Sequence, residues 1–211
     1  MTTTSRALVP TPSKEHPSRR VLVSLSVVIL VTLVALVTTG HDISYDTSTA
    51  KIKDAYDISA GASQIGAYAG MAAVGLLLFF GSALRNALRA AGNSWFADAA
   101  FLGFAALAAT FASWIVTDVA MWKAVDLGND SAIRTIAVIS DAGFLPLMAS
   151  MVALYLGAGL AGLTTGALPK WLSVASIVVG VLAPLGPLGF VGFMVLPLWI
   201  VAMAVWVRLD S

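Results

Sequence analysis

The sequence predicts an all-α protein, a polytopic transmembrane helical bundle with about six spans and with both the N- and C-termini in the cytoplasm. Three observations predict it. Hydrophobic residues make up 59% of the 211 residues, charged residues make up only 11%, and the mean hydropathy is +0.91. A soluble protein carries roughly 25% charged residues. The apolar residues also form uncharged stretches of bilayer length, and basic residues concentrate in alternate connections between them.

The first twenty residues precede a strongly apolar segment. Residues 1–20 are rich in Thr, Ser and Pro and predict a disordered cytoplasmic tail. Residues 21–39, VLVSLSVVILVTLVALVTT, carry no charge and predict the first span. Because Arg19 and Arg20 precede this stretch, a signal peptide cleaved near Gly40 is the alternative. We favour an uncleaved anchor, since the stretch exceeds the roughly 7 to 15 apolar residues of a signal peptide.

Residues 40–59 form the longest polar segment and are predicted to be extracytoplasmic. Lysines and aspartates stand three and four residues apart here, a spacing that pairs opposite charges on a helix. Ser48 or Thr49 can cap that helix, which we expect to run into the second span. A divalent-cation site is a less favoured alternative to a solvated, self-paired face. The charged residues of the segment are His41, Asp42, Asp46, Lys51, Lys53, Asp54 and Asp57.

Five further apolar segments follow. The second and third spans are predicted at about 60–84 and 97–119, and the fourth, at about 132–163, is long enough to tilt or to protrude. Gly66 and Gly70 form a GxxxG motif, which favours close helix packing within one bundle over dimerisation.

The last two spans share a short stretch of chain. Residues 172–207 are slightly too few for two complete crossings. A PLGPLG segment, residues 184–189, interrupts them and predicts a fifth span at about 172–186 and a sixth at about 189–207. A re-entrant segment in place of the fifth span is the alternative.

The distribution of basic residues predicts the orientation. With the N-terminus inside, eight basic residues are cytoplasmic and four are outside, which agrees with the positive-inside rule and predicts a multi-pass protein of a bacterial cytoplasmic (inner) membrane. The inner set is Arg6, Lys14, Arg19, Arg20, Arg85, Arg89, Lys170 and Arg208, and the outer set is Lys51, Lys53, Lys123 and Arg134.

Asp141 is the residue of the predicted spans that most needs an explanation. An ionised carboxylate in hydrocarbon costs several kcal/mol unless it is paired or hydrated. Pro146 lies five residues later and frees the carbonyl of Ala142, while Gly143 loosens the same turn. Transporters build cation and proton sites from such interrupted helices. The alternative is a structural Asp that fastens span four to its neighbour.

Neighbouring polar residues extend this hypothesis to an outward-facing pocket, which predicts that the protein binds or transports a small molecule or ion. For single Ser and Thr residues in spans, a hydrogen bond to their own backbone is the simpler explanation. An accessory or structural subunit of a larger membrane complex is the alternative function, and a lipid-modifying enzyme with Asp118 or Asp141 as base is the weakest. The predicted pocket contains Asp141, Asp118, Arg134, Gln64, Tyr68 and Ser113.

Several classes of site are excluded by composition. The chain has no cysteine and only two histidines, His16 and His41, so no metal or cofactor site is predicted. No catalytic set is recognisable, which makes an enzyme less favoured. A net charge of +1 without a basic patch argues against nucleic acid as a partner. The expected partners are the lipid bilayer and other membrane protein subunits.

The C-terminal pair of apolar segments carries a family resemblance. The pattern is Leu168-Pro-Lys-Trp-Leu, a Gly/Pro break, then Pro197-Leu-Trp and a terminal Arg208. This resembles the last two helices of an uncharacterised actinobacterial multi-span membrane protein family. The resemblance implies topology and carries no functional residue.

Overall fold

The chain is helical in all the regular structure that the computed structural model describes, and no strand occurs there. The structure describes residues 19–39, 44, 46–58, 60–92 and 94–208, and side chains throughout except for 34–39. Residues 1–18 of the predicted tail, the cleavage position near Gly40, and both His41 and Asp42 lie outside these residues, whereas Arg19 and Arg20, which the sequence placed in the tail, form the first turn of the first helix. Eight helices occur in the described part: α1 Arg19–Thr39, α2 Thr49–Ala55, α3 Ala60–Ala91, α4 Phe96–Asp126, α5 Asp130–Ala142, α6 Phe144–Thr165, α7 Lys170–Leu182 and α8 Pro187–Trp206.

Within the described residues, four helical segments are long and apolar enough to cross a membrane. They are α3, α4, α8 and the continuous stretch Asp130–Thr165 that contains α5 and α6. Helix α1 coincides with the first predicted span. Helix α7 has 13 residues and is about 20 Å long, shorter than the roughly 30 Å hydrocarbon core. An all-helical bundle with at least four such segments is therefore shown, whereas the count of six and the orientation stay predictions.

Helices α4 and α6 form the centre of the bundle and approach each other at glycines. A Cβ atom on Gly103 would lie 2.3 Å from the backbone nitrogen of Leu154, and one on Gly157 would lie 2.4 Å from that of Ala100. Only hydrogen at these two positions lets the backbones come so close. Small residues are the usual basis of helix packing in membranes, where the hydrophobic effect does not drive helices together.

Two buried hydrogen bonds connect the later helices to this centre. The Tyr155 hydroxyl of α6 donates to the carbonyl of Gly192 in α8 at 2.9 Å. The Trp199 indole of α8 donates to Ser176 Oγ in α7 at 2.8 Å. The Tyr155 and Trp199 rings are also in edge contact, with their centroids 4.8 Å apart. Since an unpaired polar group in hydrocarbon is costly, these bonds fix how α6, α7 and α8 face one another.

Ion pairs connect α3 and α4 at one end of the bundle. Arg85 Nε donates to Asp98 Oδ1 at 2.5 Å, and Arg89 pairs with the other oxygen of the same carboxylate. The guanidinium of Arg85 also lies over the ring of Phe101. We call this the basic end of the molecule. Helices α3, α6 and α8 end there, and α1, α4 and α7 begin there.

The opposite end carries a small helical layer, which we call the polar cap: α2, residues 118–126 of α4, and α5. Helix α4 is 31 residues, about 46 Å, long, and twenty residues from Asp98 already reach Asp118. Its last turns therefore extend past a 30 Å core. The cap has its own apolar cluster, separate from the main core: Ile52, Tyr56, Met121, Ala124, Ile133 and Ala137.

The helix predicted near residue 49 is present, with two differences from expectation. Ser48 Oγ accepts from the backbone N–H of Lys51, as predicted for a cap. The helix ends at Ala55 and does not run into α3, which begins at Ala60. Lys53 does not pair within its own helix, because its ammonium lies 2.7 Å from the carboxylate of Asp130 in α5. A tertiary contact has replaced the expected local one.

The predicted fourth span consists of two helices. Helix α5 ends at Ala142, and α6 begins at Phe144 after an interruption at Gly143, whose N–H bonds to the carbonyl of Ser140. The interruption lies where Pro146 removes a helical hydrogen bond, as the sequence predicts. Helix α6 alone is about 33 Å long, enough for one crossing.

The GxxxG motif of α3 is used in part within the bundle. A Cβ on Gly70 would lie 2.7 Å from Cδ1 of Ile115 in α4, so this glycine permits close approach. Nothing lies within 4 Å of the corresponding position on Gly66.

Candidate ligand site at the polar cap

Three side-chain contacts hold residues 48–58 against α4 and α5. The Tyr56 hydroxyl donates to Asp118 Oδ1 at 2.5 Å, and the indole N–H of Trp122 donates to the carbonyl of Ile58 at 3.1 Å. The Lys53–Asp130 ion pair is the third. Because these contacts come from both sides of the Tyr56 turn, they fix the segment in position relative to the helices below it.

The Tyr56 phenol remains protonated at neutral pH. Burial raises its pKa above the usual value near 10, and the hydrogen bond to Asp118 and the negative charge of Asp118 raise it further. The phenol therefore acts as a fixed hydrogen-bond donor to the Asp118 carboxylate.

A cavity of about 500 Å³ opens beside this turn, between residues 50–58 and the end of α4. Its volume falls within the range of about 300 to 1,000 Å³ that small-molecule sites occupy. Three carboxylates, one cation and two aromatic rings line it. The lining residues are Ala50, Lys53, Asp54, Tyr56, Asp57, Ile58, Trp122, Val125 and Asp126.

The charge of this cavity is negative. Among the described residues, none of Asp54, Asp57 and Asp126 forms an ion pair, whereas Lys53 is engaged by Asp130. No group of three His, Cys, Asp or Glu side chains in the described part of the chain is compact enough to hold a metal ion. The three carboxylates in the wall attract positive charge. The face of an indole such as Trp122 adds attraction for an ammonium group.

The six residues of the predicted pocket lie at several places around the same end. No hydrogen bond or ion pair joins two of them in the described structure. Asp118 is bound to Tyr56, and Asp141, at the end of α5, lies 3.5 Å from Ser44 Oγ. The other four have exposed side chains: Arg134 on α5, Ser113 on α4, and Gln64 and Tyr68 on α3.

Backbone bonding accounts for both threonine hydroxyls of α4. Thr110 Oγ1 donates to the carbonyl of Ala106 at 2.9 Å, and Thr117 Oγ1 donates to that of Ser113 at 2.8 Å. This is the simpler explanation given above for isolated hydroxyl residues in spans, and it is confirmed for both threonines.

The interruption at Gly143 has a feature that the sequence does not reveal. The indole nitrogen of Trp114 is buried and has no hydrogen-bond partner in the described structure. A Cβ on Gly143 would lie 2.3 Å from that nitrogen. A free donor thus lies against the turn where Pro146 removes a helical bond. The aromatic neighbours of Trp114 are Phe111 and Phe193.

The sequence assigned residues 50–58 of the cavity wall only to a solvated, charged segment. Their excess of carboxylates was visible, but Trp122 is 64 residues from Ile58 in the chain, and no local pattern pairs them.

Comparisons of the chain with protein-family models, with curated proteins and with solved structures find no match. The resemblance of the C-terminal helices to actinobacterial multi-span proteins therefore stays a prediction.

Proposed function

We propose that the chain is a multi-pass protein of a bacterial cytoplasmic membrane that binds a small organic cation at its outward face. The observation that carries this proposal is the negatively charged cavity beside Tyr56, with Asp54, Asp57, Asp126 and Trp122 in its wall. A concave site with an excess of carboxylates and an aromatic ring in its wall suits a small ligand of positive charge.

We also propose that the chain crosses the membrane six times and that both termini are cytoplasmic. The two ends of the described structure differ in charge: six basic and one acidic side chain give the basic end a net charge of +5, and four basic and seven acidic side chains give the other end −3. Membrane proteins keep their positive ends in the cytoplasm. This supports an outward polar cap, with α1 and α7 completing the six crossings.

Direct binding of a quaternary ammonium probe tests the site. We expect tetramethylammonium to bind the purified protein in calorimetric titration more tightly than sodium does at equal ionic strength. The triple variant D54N/D57N/D126N removes the negative charge and should lose this binding, and W122L should weaken it. Asp46→Asn is the matched control, because Asp46 is exposed and lies outside the cavity wall. Equal binding by the triple variant would refute the proposed site.

In the fuller form of this hypothesis, the protein transports its ligand through the helical bundle, and transport depends on Asp141. This carboxylate adjoins the interrupted turn at Gly143, where a helical bond is missing and the Trp114 donor is unused. We expect D141N to abolish proton-coupled uptake in reconstituted vesicles that contain a pH-sensitive dye, with the thermal unfolding midpoint unchanged. Undiminished coupling in D141N would contradict a transport role for this residue.

An accessory subunit is the second candidate, and one observation favours it. The first half of α3 exposes Ile65 and Tyr68, each more than 70% accessible, and leaves Gly66 open. A helix of another membrane protein could pack there. Affinity purification in mild detergent should then recover a stoichiometric partner, and G66L should release it while the bundle stays folded. Recovery of the chain alone would count against this function.

A further inference from the structure

The basic end has a second feature that the cation site does not use. Two hydrogen bonds gather chain segments around the last turn of α8. Arg19 Nη2 donates to the carbonyl of Val207 at 3.4 Å, and the backbone N–H of Arg208 donates to the carbonyl of Ala167 at 2.9 Å. The start of α1 and the connection before α7 are therefore both attached to the end of α8.

Two tryptophans lie at the same place. The rings of Trp171 and Trp206 are in edge contact, with centroids 5.2 Å apart, and both side chains are about half exposed. Each ring is close in sequence to a cation, since Lys170 precedes Trp171 and Arg208 follows Trp206 by two residues. Tryptophan beside basic residues is typical of the membrane–water interface, at the level of lipid headgroups.

Four cations at this end have no acidic partner among the described residues. None of Arg19, Arg20, Lys170 and Arg208 forms an ion pair with a carboxylate in the described part of the chain, whereas Asp98 is fully occupied by Arg85 and Arg89.

An apolar stripe leads away from this cluster along α7. Val174, Val178 and Val181 follow Trp171 at intervals of three and four residues, and all four side chains are about half exposed. That spacing places them on one face of the helix. From Trp171 to Val181 this face is about 15 Å long.

We infer that the basic end binds an anionic phospholipid. Its phosphate lies between Lys170 and Arg208 at the level of the tryptophans, and one acyl chain lies along Trp171, Val174, Val178 and Val181. Basic groups on the cytoplasmic side of membrane proteins attract anionic headgroups, and each contributes separately to the affinity. The site is independent of the cation site at the other end of the molecule.

Lipid titration of the detergent-purified protein tests this inference. We expect native mass spectrometry to show a retained adduct with phosphatidylglycerol, and none with phosphatidylcholine of the same chains at equal concentration. The variant K170Q/R208Q should bind phosphatidylglycerol about 30-fold more weakly, because two basic contributions are lost. Its fold should persist, since the Arg208–Ala167 bond uses the backbone N–H. Lys170→Gln alone gives a second, milder variant with the same expected direction.

The matched control is K51Q/K123Q, which removes two exposed lysines from the polar cap. It should leave the affinity for phosphatidylglycerol unchanged, and K170R/R208K should retain it. The proposed site would be overturned if K51Q/K123Q lowered the affinity for phosphatidylglycerol as much as K170Q/R208Q does, or if K170Q/R208Q left that affinity unchanged. Full competition by millimolar inorganic phosphate would overturn the lipid as its occupant, because the acyl chain would then contribute nothing.

Discussion

The Tyr56 hydroxyl joins the polar cap to the end of α4. Its ring is buried in the apolar cluster of the cap, and its oxygen donates to Asp118. If a buried donor has no acceptor, the folded state is destabilised by the free energy of desolvating that donor. A hydrogen bond that is formed typically contributes about 1 kcal/mol to the net stability. The same contact also fixes one wall of the proposed cation cavity.

We predict that Tyr56→Phe lowers the free energy of unfolding by about 1 kcal/mol and weakens tetramethylammonium binding. Tyr68→Phe is the control, because Tyr68 is 75% exposed and no hydrogen bond of its hydroxyl occurs in the described structure. Thermal denaturation in detergent measures both variants. Equal unfolding midpoints for the two variants would show that the Tyr56–Asp118 bond contributes nothing.

The raised pKa of Tyr56 also predicts a pH dependence. In the unfolded chain a phenol ionises near pH 10, whereas the folded Tyr56 keeps its proton to higher pH. Its contribution is therefore complete below about pH 10 and is lost as the pH rises toward the folded pKa. The stability difference between the wild type and Tyr56→Phe should be constant from about pH 7 to 9 and should fall above pH 10. A difference that grows with pH would contradict the assigned shift.

At the scale of helices, the α4–α6 pair determines how tightly the bundle packs. The Cβ atoms absent from Gly103 and Gly157 would strike backbone atoms of the opposite helix. The backbone of the opposite helix cannot move aside as a flexible side chain can. Replacing either glycine with a larger residue must therefore push α4 and α6 apart.

We predict that Gly103→Ala lowers the free energy of unfolding by about 1–3 kcal/mol, the usual cost of overpacking. Gly66→Ala adds the same methyl group to an open position of α3 and should leave stability unchanged or raise it slightly. Unfolding in a denaturing detergent compares the two alanine variants. If the two variants change the free energy of unfolding equally, the close approach of α4 and α6 is wrong.

The apolar helices could be predicted from sequence because bilayer length and hydrophobicity act locally. The predicted break at residues 184–189 is confirmed, as α7 ends at Leu182 and α8 begins at Pro187 with Gly186 at a positive φ of 57°. The separation of α2 from α3 and the Lys53–Asp130 pair could not be predicted, because both depend on which distant helix lies beneath α2.

The candidate site could be predicted only in part. Asp141 lies next to the interruption at Gly143, as the position of Pro146 indicates. The neighbours of Asp141 were inferred from polar residues of the second, third and fourth spans, on the assumption that these residues converge. Helix α4 extends past the length of a bilayer core, so Asp118 contacts Tyr56 of the polar segment, and most of the cavity wall comes from residues 50–58, which were assigned to a solvated face.

At the scale of the whole molecule, charge is distributed between two ends. One end is basic and carries exposed tryptophans, and the other holds an acidic helical layer above the apolar bundle. The separation supports the proposed orientation, the outward cation site and the lipid site together. The side of the membrane on which the cation site and the lipid site lie follows from this orientation.

Cysteine labelling in intact cells measures this orientation most directly. The chain has no cysteine, so single substitutions need no altered background. Ala50 in the polar cap and Ala90 at the basic end are both exposed. We predict that a membrane-impermeant maleimide labels A50C in intact cells and labels A90C only after the cells are lysed. Labelling of A90C but not A50C in intact cells would contradict the orientation, and with it the outward cation site.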